Sequence, residues 1–195
     1  DEADRMLDMG FINDMRFMLG RMPAERHTLF FSATLSRDIE NLIKDFLRDP
    51  VRISVKTQDT AKNVEQDIVK VKAGETKLDA LHNLLKQPGF DKVLIFGRTK
   101  HGVEKLARML EHRGFRVESI HGNKSHSQRQ RALGLFKDGR VQIMVATDVA
   151  ARGLDISNVS HVINFDKPAT YDDYVHRIGR TGRGDKKGKA FTFVE

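Results

Sequence analysis

From residue 64 onward, short apolar runs alternate with stretches in which apolar residues recur every three or four positions. Brief runs bounded by polar or glycine-containing segments have the length of strands, whereas the 3.6-residue period marks amphipathic helices. The pattern predicts strands at 64–72, 93–96, 116–120, 141–146, 160–164 and 190–194, and helices at 76–87, 101–113, 126–137 and 171–178. Val103, Leu106, Ala107 and Leu110 supply the buried stripe of one of these helices. Strands that alternate with helices imply a parallel sheet covered on both faces, so residues 64–195 are expected to form a complete α/β domain.

The first 55 residues read differently. Met15, Met18, Leu19 and Met22 fall at helical spacing within 1–22, and Ile39, Leu42, Ile43 and Phe46 repeat it within 36–47. Between them Thr28-Leu29-Phe30-Phe31 has the character of a short buried strand, and Val51-Arg52-Ile53-Ser54-Val55 that of another. The methionine stripe is expected to fill core, where a flexible thioether adapts to irregular gaps. Residues 56–63 are polar and without period, which predicts a linker. No internal repeat or low-complexity tract interrupts this order.

Composition narrows the picture. A length of 195 residues with 39% hydrophobic content suits one or two packed domains. Cysteine is absent, which excludes disulfides and agrees with a reducing compartment such as the cytoplasm. No stretch of about 18 apolar residues exists, so no membrane span is expected. The net charge of +7 is uneven: residues 1–50 carry 7 Lys/Arg against 10 Asp/Glu, and the rest carry 27 against 17. A basic second part suits a polyanionic partner such as nucleic acid, and equally suits solubility.

Chemistry concentrates in a few strings. His176-Arg177-Ile178-Gly179-Arg180-Thr181-Gly182-Arg183 packs three arginines and a histidine into eight residues. Guanidinium forks match phosphate oxygens, so a polyphosphate is a natural partner and a solvated basic face is the alternative. Gly179 and Gly182 are expected to let backbone and ligand approach closely. The strings Thr99-Lys100, His121-Gly122 and Thr147-Asp148 each follow a predicted strand, and in open α/β sheets ligands gather at that edge. The opening Asp1-Glu2-Ala3-Asp4 is acid-rich and by itself suits the first turn of a helix. Ser32-Ala33-Thr34 stands where it could cap the following helix.

Taken in order, Asp1-Glu2-Ala3-Asp4, Ser32-Ala33-Thr34, the segment Val145-Ala146-Thr147-Asp148-Val149-Ala150-Ala151-Arg152-Gly153-Leu154-Asp155 and the arginine string closely resemble the DEAD-box ATP-dependent RNA helicases, particularly the bacterial ones. The resemblance spans nearly the whole chain and implies a carboxy-terminal slice of such an enzyme, its phosphate-binding loop lying upstream of Asp1. Residues 1–55 would then be the end of the first, ATP-binding lobe, 56–63 the linker, and 64–195 the second, RecA-like lobe. The implied cofactors are ATP and Mg²⁺, the implied partner is RNA, and the implied reaction is ATP hydrolysis coupled to local duplex unwinding without sequence preference.

The resemblance also implies roles. Asp1 would hold Mg²⁺ through its water shell and Glu2 would polarise the attacking water. Arg180 and Arg183 would be the arginine fingers that meet the γ-phosphate. Gly153 would lie against the nucleotide and Asp155 would contact its ribose, although an isolated glycine also serves as a plain turn residue. Asp4, Ser32, Thr34 and His176 would couple the nucleotide and RNA sites. Arg98, Thr99, Gly122, Arg129 and Thr147 would grip the RNA backbone, a contact set of hydroxyls, amides and guanidinium that reads no bases. The chain has no Trp and two Tyr, which argues against base-stacking platforms. One position departs from the family pattern: His126 stands where glutamine is usual, and an imidazole cannot offer an amide's donor and acceptor together. A non-catalytic RNA-binding lobe and a DNA-directed translocase are the competing readings. Without the phosphate-binding loop, the chain alone is expected not to hydrolyse ATP.

Overall fold

The computed structural model describes residues 2–54, 63–154, 156–184 and 186–194, the side chain of Asp8 excepted. Asp1, Asp155 and residues 56–62 of the expected linker therefore lie outside the described residues. The chain divides into two compact units, Asp1–Val55 and Lys56–Glu195.

In the first unit, helices α1 (Ala3–Asp8), α2 (Ile12–Arg21) and α3 (Arg37–Phe46) enclose a small core of Ala3, Met15, Ile39, Leu42 and Ile43. The helical pattern over 1–22 is split in two because Gly10 turns the chain at φ 82. Of the methionine stripe, Met15 is buried, but Met18 and Met22 are each 48% exposed. Neither expected strand forms among the described residues. Leu29 and Phe31 are exposed, as are Val51 and Ile53, and in the run at 28–31 the Phe31 carbonyl accepts the Ala3 amide (3.1 Å). β-propensity alone does not make a strand; a ladder partner does, and this unit has none among the described residues.

The second unit is a six-stranded sheet, all parallel, with strands β1 (Val64–Lys70), β2 (Val93–Phe96), β3 (Val117–Ile120), β4 (Ile143–Ala146), β5 (His161–Asn164) and β6 (Gly188–Val194) in the order β1-β6-β5-β2-β4-β3. Of the four inner strands, β2, β4 and β5 are buried along their whole length, which is why they read as continuous apolar runs. Alternate residues serve opposite faces. Leu94, Phe96, Met144 and Val162 pack with Phe136 of helix α6 (His126–Lys137), Ala150 and Ala151 of α7 (Asp148–Ala151) and Ile178 of α8 (Tyr171–Ile178). Val93, Ile95, Val145 and Ile163 pack with Leu81 of α4 (Lys77–Leu85) and Leu110 of α5 (Lys100–His112). Helices on both faces of a parallel sheet are what the pattern predicted, and they make the RecA-like α/β architecture that the resemblance implied. Element boundaries differ from the sequence reading by a few residues at most, and the four-residue α7 is shorter than any periodic signal can reveal.

Candidate functional site

In the first unit, Asp4 is 9% exposed, and its Oδ2 accepts from the Ala33 amide (3.1 Å), the Thr34 amide (2.9 Å) and the Thr34 hydroxyl (3.1 Å). Ser32 Oγ donates to the Thr34 carbonyl at 2.7 Å. The structure thus joins Asp4, Ser32 and Thr34 in one hydrogen-bonded turn. Neither Ser32 nor Thr34 caps α3; Ser36 does, accepting from the Ile39 amide. Glu2 precedes α1 in a left-handed conformation (φ 49, ψ 45) with its residue exposed.

In the second unit, three neighbouring strands, β2, β4 and β3, end together, with Phe96 and Ile120 both in register with Ala146. The expected RNA residues follow those ends. Thr99 caps α5 by accepting from the Gly102 amide (3.0 Å), and the Arg98 amide donates to Asp166 Oδ2 (2.7 Å), leaving Arg98 exposed. The Thr147 amide donates to the Ile120 carbonyl (3.3 Å), which links the turns after β4 and β3. Gly122 is exposed in the turn after β3, and Arg129 sits half-buried on α6. Exposed His126 opens α6, while the helix is capped by Ser125 and Gln128 in a reciprocal capping box.

The turn at Gly122 is held from beneath. His121 is buried; its Nδ1 accepts the Asn123 amide (3.3 Å), so Nε2 carries the proton that meets Glu104 Oε2 at 3.1 Å. Buried Ser119 donates to the same carboxylate oxygen at 2.6 Å. These two hydrogen bonds, Ser119's first, outweigh partial burial and hold the Glu104 carboxyl at a pKa of about 2. Sequence reasoning missed Glu104, whose helical position marks it only as one more surface acid.

The arginine string resolves into unequal parts. Arg177 is 2% exposed and engaged internally: Nε and Nη2 meet Asp148 Oδ1 (2.6 Å) and Oδ2 (2.8 Å) as a fork, and Nη1 donates to the Asp166 carbonyl (2.6 Å) and Asn164 Oδ1 (3.3 Å). For Arg177 neither a polyphosphate nor solvent is the counterpart that the structure shows: Asp148 supplies the counter-charge within the fold. A second pair, Arg152 to Asp173 at 2.8 Å, lies about one helical turn along the chain from the first at each end, so the α7 segment and α8 are joined by two rungs. Arg180 reaches the Leu154 carbonyl (3.1 Å), Arg183 the Gly179 carbonyl (3.0 Å), and Arg183 is exposed. A small cavity is lined by Phe96, Asp148, Ala151, Arg152, His176, Arg177 and Arg180. Two buried side-chain atoms on its lining residues, His176 Nδ1 and Arg152 Nη1, have no hydrogen-bond partner.

The two glycines of the string differ. Gly179 simply ends α8 at φ −65. Gly182, at φ +65, lies against the chain itself: a Cβ there would meet Val64 Cγ2 at 2.7 Å and the Asn63 carbonyl at 3.0 Å. The close approach here is that of the chain's own Asn63 and Val64. Gly153 is exposed with φ +67, a turn that favours glycine.

Among the described residues no helix is long and apolar enough to cross a membrane. Comparison with known proteins agrees with the architecture. The model of the helicase conserved C-terminal domain matches residues 76–185, and that of the DEAD/DEAH box helicases matches residues 1–42. The ATP-dependent RNA helicase CshA of Listeria monocytogenes is 48% identical over the whole chain, which covers 38% of that protein. The RNA helicase CrhR of Synechocystis is 47% identical, again over the whole chain and 40% of the relative. The chain thus spans about two fifths of the length of these curated relatives. Among solved structures, S. cerevisiae Dbp5 bound to RNA and ADP BeF3 superposes with a TM-score of 0.82 at 30% identity, over all of this chain and 52% of that one. A DEAD box protein from the hyperthermophile Methanococcus jannaschii gives 0.63 at 42% identity, over all of this chain and 52% of its own. With both family models matched in order along the chain, a parallel sheet covered by helices in the second unit, and whole-chain identity near one half, the chain belongs to the DEAD-box helicase family.

Proposed function

We propose that this chain is the portion of a cytoplasmic, ATP-dependent RNA helicase that contributes the RNA-gripping sheet edge and the phosphate-facing arginines. The observation that carries this reading is the convergence of Thr99, Gly122 and Thr147 at the carboxyl ends of three adjacent strands, with Arg129 on the following helix. Hydroxyls, exposed backbone amides and a guanidinium hold sugar and phosphate and leave the bases unread, which suits a strand clamp indifferent to sequence.

The nucleotide side fits ATP by its donor chemistry. Arg180 lines a cavity together with Arg152 and His176, each of which brings a buried nitrogen without a partner. In this reading Arg180 and Arg183 face the γ-phosphate, Gly153 and Asp155 take the nucleoside side, and His176, Asp4, Ser32 and Thr34 relay between sites. Bound ATP supplies a phosphoryl group whose transfer to water resets the clamp. Glu2 would orient that water, and Asp1 would be the carboxylate that holds Mg²⁺ through its water shell. A magnesium ion held chiefly by phosphates and one or two carboxylates needs no cluster of protein ligands, and among the described residues there is none.

The test is RNA-stimulated ATP turnover by the whole enzyme. Arg180→Ala or Arg183→Ala should lower turnover by about 10³ to 10⁵, the range for arginine fingers, with RNA affinity largely kept. Lysine should rescue little, because it lacks the planar fork. A variant that melts early yet retains most of its turnover would show that these arginines only brace α8. Stimulation by DNA in place of RNA would redirect the reading to a DNA translocase.

A further inference from the structure

Arg177 has a place that the fingers do not. Its guanidinium is enclosed, 5.1 Å from the Phe96 ring centroid, and each of its three nitrogens is engaged. Its partners lead to the sheet edge. Asp148 is the residue after Thr147, whose amide in turn hangs on the end of β3. Asp166, whose carbonyl takes Nη1, uses its carboxylate to fix the Arg98 amide at 2.7 Å, and its own amide donates to the Phe96 carbonyl at 3.1 Å. On the other side, the Arg180 amide donates to the Arg177 carbonyl at 3.1 Å. One buried residue therefore touches the supports of two RNA-side turns and carries the backbone of an arginine finger.

Resting on the functional reading above, we infer that Arg177, through its fork to Asp148, is the positioning residue that makes RNA occupancy at the Arg98-Thr99 and Thr147 turns and phosphate engagement at Arg180 one event. Burial of an ion pair is weak evidence for stability, since an apolar replacement often does as well. What a bidentate fork adds is fixed geometry, because it resists both rotation and sliding of α8 against α7. The Arg152–Asp173 rung prevents the two segments from pivoting about the first. A shift of Thr147 on binding a phosphate is then transmitted to α8 as a rigid displacement, and α8 delivers it to Arg180.

The measurement is a coupling factor: the affinity of the whole enzyme for a single-stranded RNA oligonucleotide with a non-hydrolysable ATP analogue, divided by that without it. Linkage requires the RNA to raise analogue affinity by the same factor, so both directions are read. Arg177→Lys keeps the charge and loses the fork. It should leave RNA affinity without nucleotide within about twofold and cut the coupling factor by about tenfold or more, equally in both directions. Asp148→Asn keeps shape and loses charge, and should lower the factor in the same sense. Glu65→Gln breaks an exposed pair with Lys189 (3.0 Å) and should leave it unchanged. A full coupling factor in folded Arg177→Lys and Asp148→Asn overturns the inference, as does a loss of each single affinity in proportion to the unfolded fraction. Absence of coupling in the unsubstituted enzyme would instead overturn the functional reading, and this inference with it.

Discussion

The two units solve the same problem with unequal means. Residues 63–194 bury two faces of a sheet under helices, and among the described residues only Ile68, Val149 and Tyr171 remain as exposed large apolar side chains. Residues 2–54 have a core of five buried side chains and leave Met9, Phe11, Phe17, Met18, Met22, Leu29, Phe31, Leu35, Val51 and Ile53 exposed. Apolar residues are plentiful in both, but far more of them reach burial where strands find partners. A segment can therefore carry strand-like sequence and a well-formed polar turn, as at Asp4 and Thr34, without a core able to hold them.

The largest expected effect comes from separating the units. Residues 63–195 expressed alone should unfold in one cooperative transition, whereas residues 1–55 alone should lose ellipticity gradually, with no midpoint. A sharp transition for the short piece would break the comparison. Next in size, Phe136→Ala should cost the second unit about 3–5 kcal/mol in denaturant unfolding, because a fully buried ring leaves a cavity. Leu29→Ser, at a 68% exposed site, should stay within about 0.5 kcal/mol. Equal losses at the two sites would mean that Leu29 is covered in solution.

A smaller effect sharpens the picture at the sheet edge. Glu104→Ala should cost about 1–3 kcal/mol by leaving buried Ser119 and His121 donors without their acceptor. Because the folded carboxyl sits at about 2, below its usual 4.5, its contribution is present above pH 4.5 and is lost as pH falls toward 2. The difference between wild type and variant should therefore narrow over that window, and a constant difference would refute the charge assignment. Smallest of all is His161, stacked on Phe90 at 3.9 Å, whose pKa is lowered from 6.5 chiefly by burial and then by Lys189. A depressed histidine favours the neutral folded form, so stability should decline as pH drops below 6.5, and His161→Phe should remove part of that decline.

The second unit was legible in the sequence and the first poorly so, for a physical reason. In β2, β4 and β5 every position is buried, so apolar runs and strands coincide. At 28–31 and 51–54 the same residue types lack a ladder, and no local signal reports whether a partner exists. The turns after β2, β3 and β4 were legible because each strand end is sharp. The internal use of Arg177 was not legible, since Asp148 lies 29 residues away and the charge density around Arg180 and Arg183 looks uniform. Gly182 is hidden for a similar reason: its close neighbour, Val64, is remote in sequence.

The seam between β1 and β6 joins the first strand of the second unit to its last, pairing Val64 with Gly188 and Lys70 with Val194. During vectorial synthesis the edge at Thr99, Gly122 and Thr147 emerges well before residue 188, whereas β1 stays without its sheet partner until β6 follows. Long-range pairing of this kind is slow because a long loop must close before any contact forms. The nascent chain is thus expected to pass through an interval in which the turns after β2, β3 and β4 have emerged while the seam is still open.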